Sequence, residues 1–196
     1  MSSLTGPVRI VGAGLLGTSI GLALTKQGVD VIITSQSTKS ADLAVEYGAG
    51  RVAKPGDVPT LIVVCVPPQL TAKISSQELS TVPDAFVTDV ASVKASILNE
   101  LISLGAPIER YVGSHPMAGR ERGGAIAGRA DLFVGRPWVV TPHESSKPAA
   151  VEAVKQLANA LESSVIEVSA ANHDRAVALV SHVPQLLSSL LAARLV

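Results

Sequence analysis

The sequence predicts an α/β fold. Residues 1–168 read as a Rossmann-type doubly wound, mostly parallel sheet, and residues 169–196 as the start of an all-helical C-terminal domain. Three observations predict it. Strand-like and helix-like segments alternate along most of the chain, the signature of stacked β-α units. Gly12-Ala13-Gly14-Leu15-Leu16-Gly17 lies between the apolar run Val8–Val11 and the helical pattern Thr18–Leu24. Leu61–Val66 is a continuous, largely β-branched run, as expected of a central parallel strand buried on both faces.

Each element follows from local chemistry. After Val8–Val11 and the glycine turn, the first helix ends at Gly28, and Val29–Thr34 reads as the second strand. Ala41–Tyr47 reads as a helix, with Ser40 as its N-cap and Gly48 as its stop. The strand Leu61–Val66 is closed by Pro67-Pro68. The helix Gln69–Leu79, the strand Ala85–Asp89 and the helix Val93–Leu104 follow, with Ser92 placed to cap the last of these. Tyr111–Ser114 is a strand leading into a long glycine-rich loop. Trp138–Thr141, Lys147–Leu161 and Val165–Val168 complete the pattern as strand, Ala-rich helix and strand.

From about Ser169 the character changes. Ala171–Val196 is one helical pattern, with Asn172 or the residue before it as cap. Its apolar positions, including Leu179, Val183, Leu187 and Leu191, cover most of the circumference, and Pro184 should kink it. The chain stops at Val196 without a cap. The expectation is the first helix of a second domain whose remainder is missing; the alternative is a C-terminal helix docked on the first domain.

Composition narrows the function. The chain has 196 residues and no net formal charge, so nothing points to nucleic acid or anionic lipid as partner. A single cysteine, Cys65, excludes an internal disulfide, and no Cys/His cluster suggests a metal. The first residues resemble no signal peptide, and no apolar run reaches the ~18 residues of a membrane span. The expected location is the cytoplasm.

The glycine turn carries the first functional reading. A tight turn, a close backbone approach and close helix packing are what the three glycines of a dinucleotide site supply, with the pyrophosphate on the helix N-terminus. Gly12, Ala13, Gly14, Leu15, Leu16 and Gly17 are therefore cofactor candidates. An NAD site normally has an acidic residue at the end of the second strand; here Thr34-Ser35-Gln36-Ser37-Thr38-Lys39 has none. Ser35, Gln36, Thr38 and Lys39 would suit a 2′-phosphate, which favours NADP over NAD. Val66 and Pro67 fall at the carboxyl edge of the sheet, where ligands bind. Ser92 follows the strand Ala85–Asp89 and either caps the next helix or presents its hydroxyl to nicotinamide or substrate.

Gly113-Ser114-His115-Pro116-Met117-Ala118-Gly119-Arg120-Glu121-Arg122-Gly123-Gly124 is the most telling segment. A histidine at the carboxyl end of a strand faces the ligand crevice. An imidazole there accepts a hydroxyl proton near neutral pH, as oxidation of an alcohol by hydride transfer requires.

The glycine turn, Asp89-Val90-Ala91-Ser92-Val93-Lys94, Gly113–Gly119 and Ser181-His182-Val183-Pro184 together resemble the prephenate/arogenate dehydrogenase family, in its order and spacing over essentially the whole chain. The resemblance implies oxidative decarboxylation of prephenate or arogenate to 4-hydroxyphenylpyruvate or tyrosine, on the route to tyrosine. It implies His115 as the catalytic residue on the substrate ring hydroxyl and Ser92 as a second contact to that hydroxyl. It places Glu121 near the substrate side chain, His182 at the cleft between domains, and His173-Asp174 as a structural pair. Arg120, also at the substrate, stands where many members have a small hydroxyl residue, so the choice between prephenate and arogenate stays open. The family continues into a helical dimerisation domain that supplies basic residues for the substrate carboxylate. The partners implied are the small-molecule substrate and a second copy in a homodimer. Without that domain the expectation is cofactor binding with weak or absent turnover. Two other readings stand beside this one: another small-acid dehydrogenase or imine reductase, and a non-catalytic dinucleotide-binding module.

Overall fold

A computed structural model describes Leu4, residues 6–179 and residues 188–189. Its elements run β1 (Val8–Val11), α1 (Leu15–Lys26), β2 (Val31–Thr34), α2 (Thr38–Glu46), β3 (Arg51–Val52), β4 (Leu61–Val64), α3 (Pro68–Thr81) and β5 (Phe86–Asp89). They continue with α4 (Ala95–Ser103), β6 (Tyr111–Pro116), β7 (Pro137–Thr141), α5 (Pro148–Ala160), β8 (Ser164–Glu167) and α6 (Ala170–Val177). The strands form one sheet in the order β3-β2-β1-β4-β5-β6-β7-β8. β3 to β6 are parallel neighbours, β7 is antiparallel to β6, and β8 is parallel to β7. The strand order reverses between β1 and β4, which opens a ligand crevice at the carboxyl edge of the sheet. The expected Rossmann-type architecture is the observed one.

The period-2 alternation of strand side chains divides the core into two layers. Leu61 and Val63 of β4 join Val8, Ile10, Val31 and Ile33 on one face, under α1 and α5. Ile62 and Val64 point the other way, with Val87 and Tyr111, under Ala72 and Leu79 of α3 and Ile97 and Leu101 of α4. All of β4 is buried, as its unbroken apolar run predicts.

Several ends differ from the expectation, each for a local reason. Ser37, not Ser40, caps α2: its Oγ accepts the Ser40 amide at 3.3 Å. Thr38 and Lys39 therefore belong to a first helical turn, not to a loop. Ser169 caps α6 in the same way, accepting the Asn172 amide, so the helix begins at Ala170. Ser92 caps nothing; α4 starts only at Ala95. β3 was not expected. It is a two-residue edge strand beside β2, braced by Arg51, whose guanidinium bonds Asp30 at 2.8 and 2.9 Å and Asp57 at 2.7 and 2.9 Å. β6 runs two residues further than predicted. Tyr111 and Val112 pair with β5, and Gly113–Pro116 pair with β7, so His115 stands within a strand, opposite Val139.

Ser181, His182 and the Pro184 kink lie outside the described residues, as do most of the apolar positions of the expected last helix. α6 itself packs on α4 and β7, with His173 and Val177 buried.

Candidate active site

The three glycines of the first turn meet different demands. Gly12 has φ +112°, and a Cβ there would lie 2.4 Å from the Cys65 carbonyl oxygen, so only glycine lets the β1 turn pass the end of β4. At Gly17 a Cβ would lie 2.0 Å from the Gly12 carbonyl oxygen, so this glycine lets α1 close against the turn. At Gly14, the residue before α1, a Cβ would meet nothing within 4 Å. The open space therefore lies on the ligand side of the helix N-terminus, where backbone amides and the helix dipole favour an anion. These residues fit a dinucleotide pyrophosphate.

A cleft of about 820 Å³ opens from this turn. Val11, Gly12, Ala13 and Gly14 line one end, with Ser35, Gln36, Val66 and Pro67 from the ends of β2 and β4. The volume lies within the ~300–1,000 Å³ usual for small-molecule sites. Leu15, Leu16, Gly17, Thr38 and Lys39 do not line it; Leu16 packs toward the core and Lys39 is exposed on α2. The sequence reading missed Ser37 and Ser40 at the start of α2. It also missed Leu70, Lys73, Ile74 and Gln77, which form one face of α3. The 3–4 residue spacing of the last four is the signal that would have found them. Glu78 also reaches the cleft, where it pairs with Arg9 at 3.0 Å. Burial, with the Asp89 charge added, pushes the Cys65 thiol well above its ordinary range, which makes it an inert wall rather than a nucleophile.

Further along the same edge, β5 ends in a buried polar knot. Asp89 and Lys94 are almost wholly excluded from solvent. One Asp89 oxygen accepts from Lys94 Nζ and from the Ala91 amide, and the other accepts from the Tyr111 hydroxyl at 2.6 Å. Lys94 Nζ also donates to the Ser114 carbonyl at 2.7 Å. Burial pulls the Lys94 ammonium below its ordinary range against the attraction of Asp89, and burial also raises the Tyr111 phenol. Gly113 makes room for this knot: a Cβ there would lie 2.7 Å from Thr141 Oγ1 and 3.3 Å from the Lys94 chain. The knot fixes the 90–93 loop, which carries Ser92, against β6, which carries His115. The hydroxyl of Ser92 has no hydrogen bond among the described residues.

His115 is half-buried near the end of β6. Its Nδ1 lies 2.9 Å from Nε2 of His173, and the rings meet edge-on at 77°. His173 Nδ1 in turn lies 2.8 Å from Asp174 Oδ1. The Asp174 carboxylate also accepts the Lys94 amide at 2.8 Å and the Ala95 amide at 2.9 Å, so it caps α4 in place of Ser92. Burial pushes the Asp174 carboxyl up, but the bonds from His173, Ala95 and Lys94 outweigh it and hold the group below the ordinary carboxylate range. Arg120 and Glu121 are exposed in the loop after β6, Arg120 donating to the Ala127 carbonyl at 3.3 Å. That loop folds back over α1, where the Arg129 amide donates to Ser19 Oγ, and it brings Gly124 to the cofactor cleft. His182 lies outside the described residues.

Residues 20–167 match the family model for the nucleotide-binding domain of prephenate dehydrogenase. This chain belongs to the prephenate/arogenate dehydrogenase family. Within that family it is similar to probable prephenate dehydrogenase NovF of Streptomyces niveus, at 41% identity over 95% of this chain and 51% of the relative. It is also similar to prephenate dehydrogenase of Bacillus subtilis, at 26% identity over 96% of this chain and 53% of that protein. The chain spans about half the length of these two relatives. Among solved structures, Synechocystis arogenate dehydrogenase superposes with a TM-score of 0.83 at 30% identity, covering 96% of this chain and 68% of that one. Prephenate dehydrogenase of A. aeolicus, in complex with hydroxyphenyl propionate and NAD+, gives 0.87 at 26% identity, covering 99% of this chain and 70% of that one. The matched region is the nucleotide-binding domain of this family. Among the described residues no helix is long and apolar enough to cross a membrane.

Proposed function

We propose that this chain is the dinucleotide half of a dehydrogenase that oxidatively decarboxylates prephenate or arogenate. The observation that carries the reading is His115, braced by His173 and Asp174 on the same sheet edge as the glycine-lined cleft. When bound, the nicotinamide supplies a hydride acceptor. The protein's own residues handle the proton. His115 takes the proton of the substrate ring hydroxyl as hydride leaves the ring carbon and the C–O bond becomes a carbonyl. Loss of CO2 then pushes an electron pair through the ring onto that oxygen, which takes the proton back as the ring becomes aromatic. Ser92 holds the same hydroxyl, and Glu121, Arg120 and His182 contact the rest of the substrate.

We also propose NADP as the preferred cofactor. The end of β2 offers Ser35, Gln36 and Ser37 to the cleft and no carboxylate, and Lys73 adds a cation from α3. Lys73→Ala is expected to weaken NADP binding several-fold more than NAD binding, since only NADP carries the extra phosphate.

The test is prephenate- and arogenate-dependent reduction of NADP and NAD by the full-length gene product. His115→Asn is expected to spare cofactor affinity and to cut turnover by on the order of a hundredfold or more. Normal turnover in that variant removes His115 from the chemistry. Tight cofactor binding with no turnover on either substrate leaves only a dinucleotide-binding module.

A further inference from the structure

We infer that His173 and Asp174 are positioning residues that fix the tautomer of His115, making Nε2 its proton-accepting nitrogen. The inference rests on the reading of His115 as proton acceptor and extends it to two residues that the sequence reading took as structural.

An ionised carboxylate only accepts hydrogen bonds. Asp174 is kept ionised by three donors, and the two amides at the start of α4 stop it from rotating away. The nitrogen facing it, Nδ1 of His173, therefore carries hydrogen. A neutral His173 then has its lone pair on Nε2, and that atom faces Nδ1 of His115 at 2.9 Å. Two lone pairs cannot face each other at this distance, so His115 Nδ1 carries hydrogen as well. In a neutral His115 the lone pair then sits on Nε2, at the far side of the ring from His173. His173 is 2% exposed, so water does not compete at its ring nitrogens. A carboxylate that sets the tautomer and orientation of a catalytic imidazole is a known device of proton-transfer sites. Here the device spans two imidazoles and is anchored at a helix N-terminus.

Asp174 lies on α6, and the amides it caps belong to Lys94 and Ala95, directly after the loop that carries Ser92. One carboxylate thus ties the helix leaving the sheet domain to both residues proposed to meet the substrate hydroxyl.

The test is long-range 15N–1H correlation NMR on histidine-labelled chain at about pH 8, where ordinary imidazoles are neutral. The expected spectrum shows protonated, pyrrole-type Nδ1 and pyridine-type Nε2 for both His115 and His173. His173→Asn keeps an amide beside Asp174 but removes the acceptor facing His115, and the His115 Nδ1–H pattern is expected to weaken or reverse. His173→Gln returns an acceptor oxygen to the Nε2 position and is expected to restore the pattern. A wild-type His115 protonated at Nε2 overturns the inference, as does a His115 pattern unchanged in His173→Asn. If that variant does not fold, the wild-type spectrum alone decides. In the full-length enzyme, His173→Asn is expected to lower kcat about tenfold or more with an unchanged KM for the dinucleotide. The NMR readout needs no turnover, so a failure of the functional reading in His115→Asn is separable from a failure of the tautomer assignment.

Discussion

Replacing Gly14 and Gly17 with alanine, one at a time, separates folding from cofactor binding within a single turn of chain. At Gly17 the new methyl would lie 2.0 Å from the Gly12 carbonyl oxygen and 3.0 Å from the Ile10 side chain. Carbon and oxygen need more than an ångström beyond 2.0 Å, and the obstacle is backbone of the turn itself. Overpacking of this kind costs about 1–3 kcal/mol, and the fixed obstacle places it at the upper end. Alanine returns up to about 1 kcal/mol of helix propensity, leaving a net loss of about 2 kcal/mol. For a chain of this size that lowers Tm by about 4–8 °C. At Gly14 the methyl meets nothing within 4 Å, and φ −86°, ψ −165° is open to alanine. Only the N-cap preference for glycine over alanine is lost, about 1 kcal/mol or less. The methyl does enter the space left for the pyrophosphate, so dinucleotide affinity is expected to fall tenfold or more, about 1.4 kcal/mol. Thermal melts and fluorescence titration with reduced dinucleotide read the two effects. A Gly14→Ala variant that melts as low as Gly17→Ala, or that binds dinucleotide like the wild type, would refute this division of roles.

Two further outcomes follow from the polar residues beside β5. Lys94→Met leaves the Asp89 charge buried and without its cation, and is expected to cost about 3–5 kcal/mol. Adding Asp89→Asn should recover part of that loss, and additivity of the two substitutions in urea unfolding would refute the coupling. Asp174 gives a pH dependence of defined sign. Its folded pKa lies below the unfolded value, so its stabilising contribution is complete above about pH 4 and is lost as pH falls through the folded value. The Lys94 and Ala95 amide resonances should therefore titrate below pH 4. A midpoint at or above the ordinary carboxylate value contradicts the capping role.

The sheet was legible because its signals are local. The apolar run of β4 and the glycine spacing before α1 needed only a few neighbouring residues to be read; β4 takes the first four residues of the predicted run, Leu61–Val64, and α1 starts earlier than the helical pattern, at Leu15 inside the glycine motif. Helix starts were less legible, because serines compete for the same cap. Ser37 and Ser40 are equally good candidates on paper, and only the backbone path chooses Ser37. β3 was invisible, since two residues have no periodicity, and its brace joins Arg51 to Asp30 across 21 positions. The site divides in the same way. His115 could be found from its place after a strand, whereas its partner His173 lies 58 residues away and Asp174 reaches α4 across about 80.

Ser92 shows what that long-range contact decides. From sequence alone its hydroxyl had two roles to choose between, capping the next helix or facing nicotinamide and substrate. The two roles exclude each other, because a cap must accept amides at the helix start. Asp174 already accepts those of Lys94 and Ala95, with a full charge that a serine cannot match at a helix N-terminus. Ser92 stays in the loop before α4, outside the helix. The buried Asp89–Lys94 pair at the ends of that loop ties it to Ser114, next to His115. With the capping role taken, the fixed loop and a hydroxyl that has no hydrogen bond among the described residues favour the second role. Ser92→Ala should then leave α4 and its stability within about 0.5 kcal/mol of wild type while lowering turnover on the ring hydroxyl. A loss of helix stability in that variant would return Ser92 to the cap.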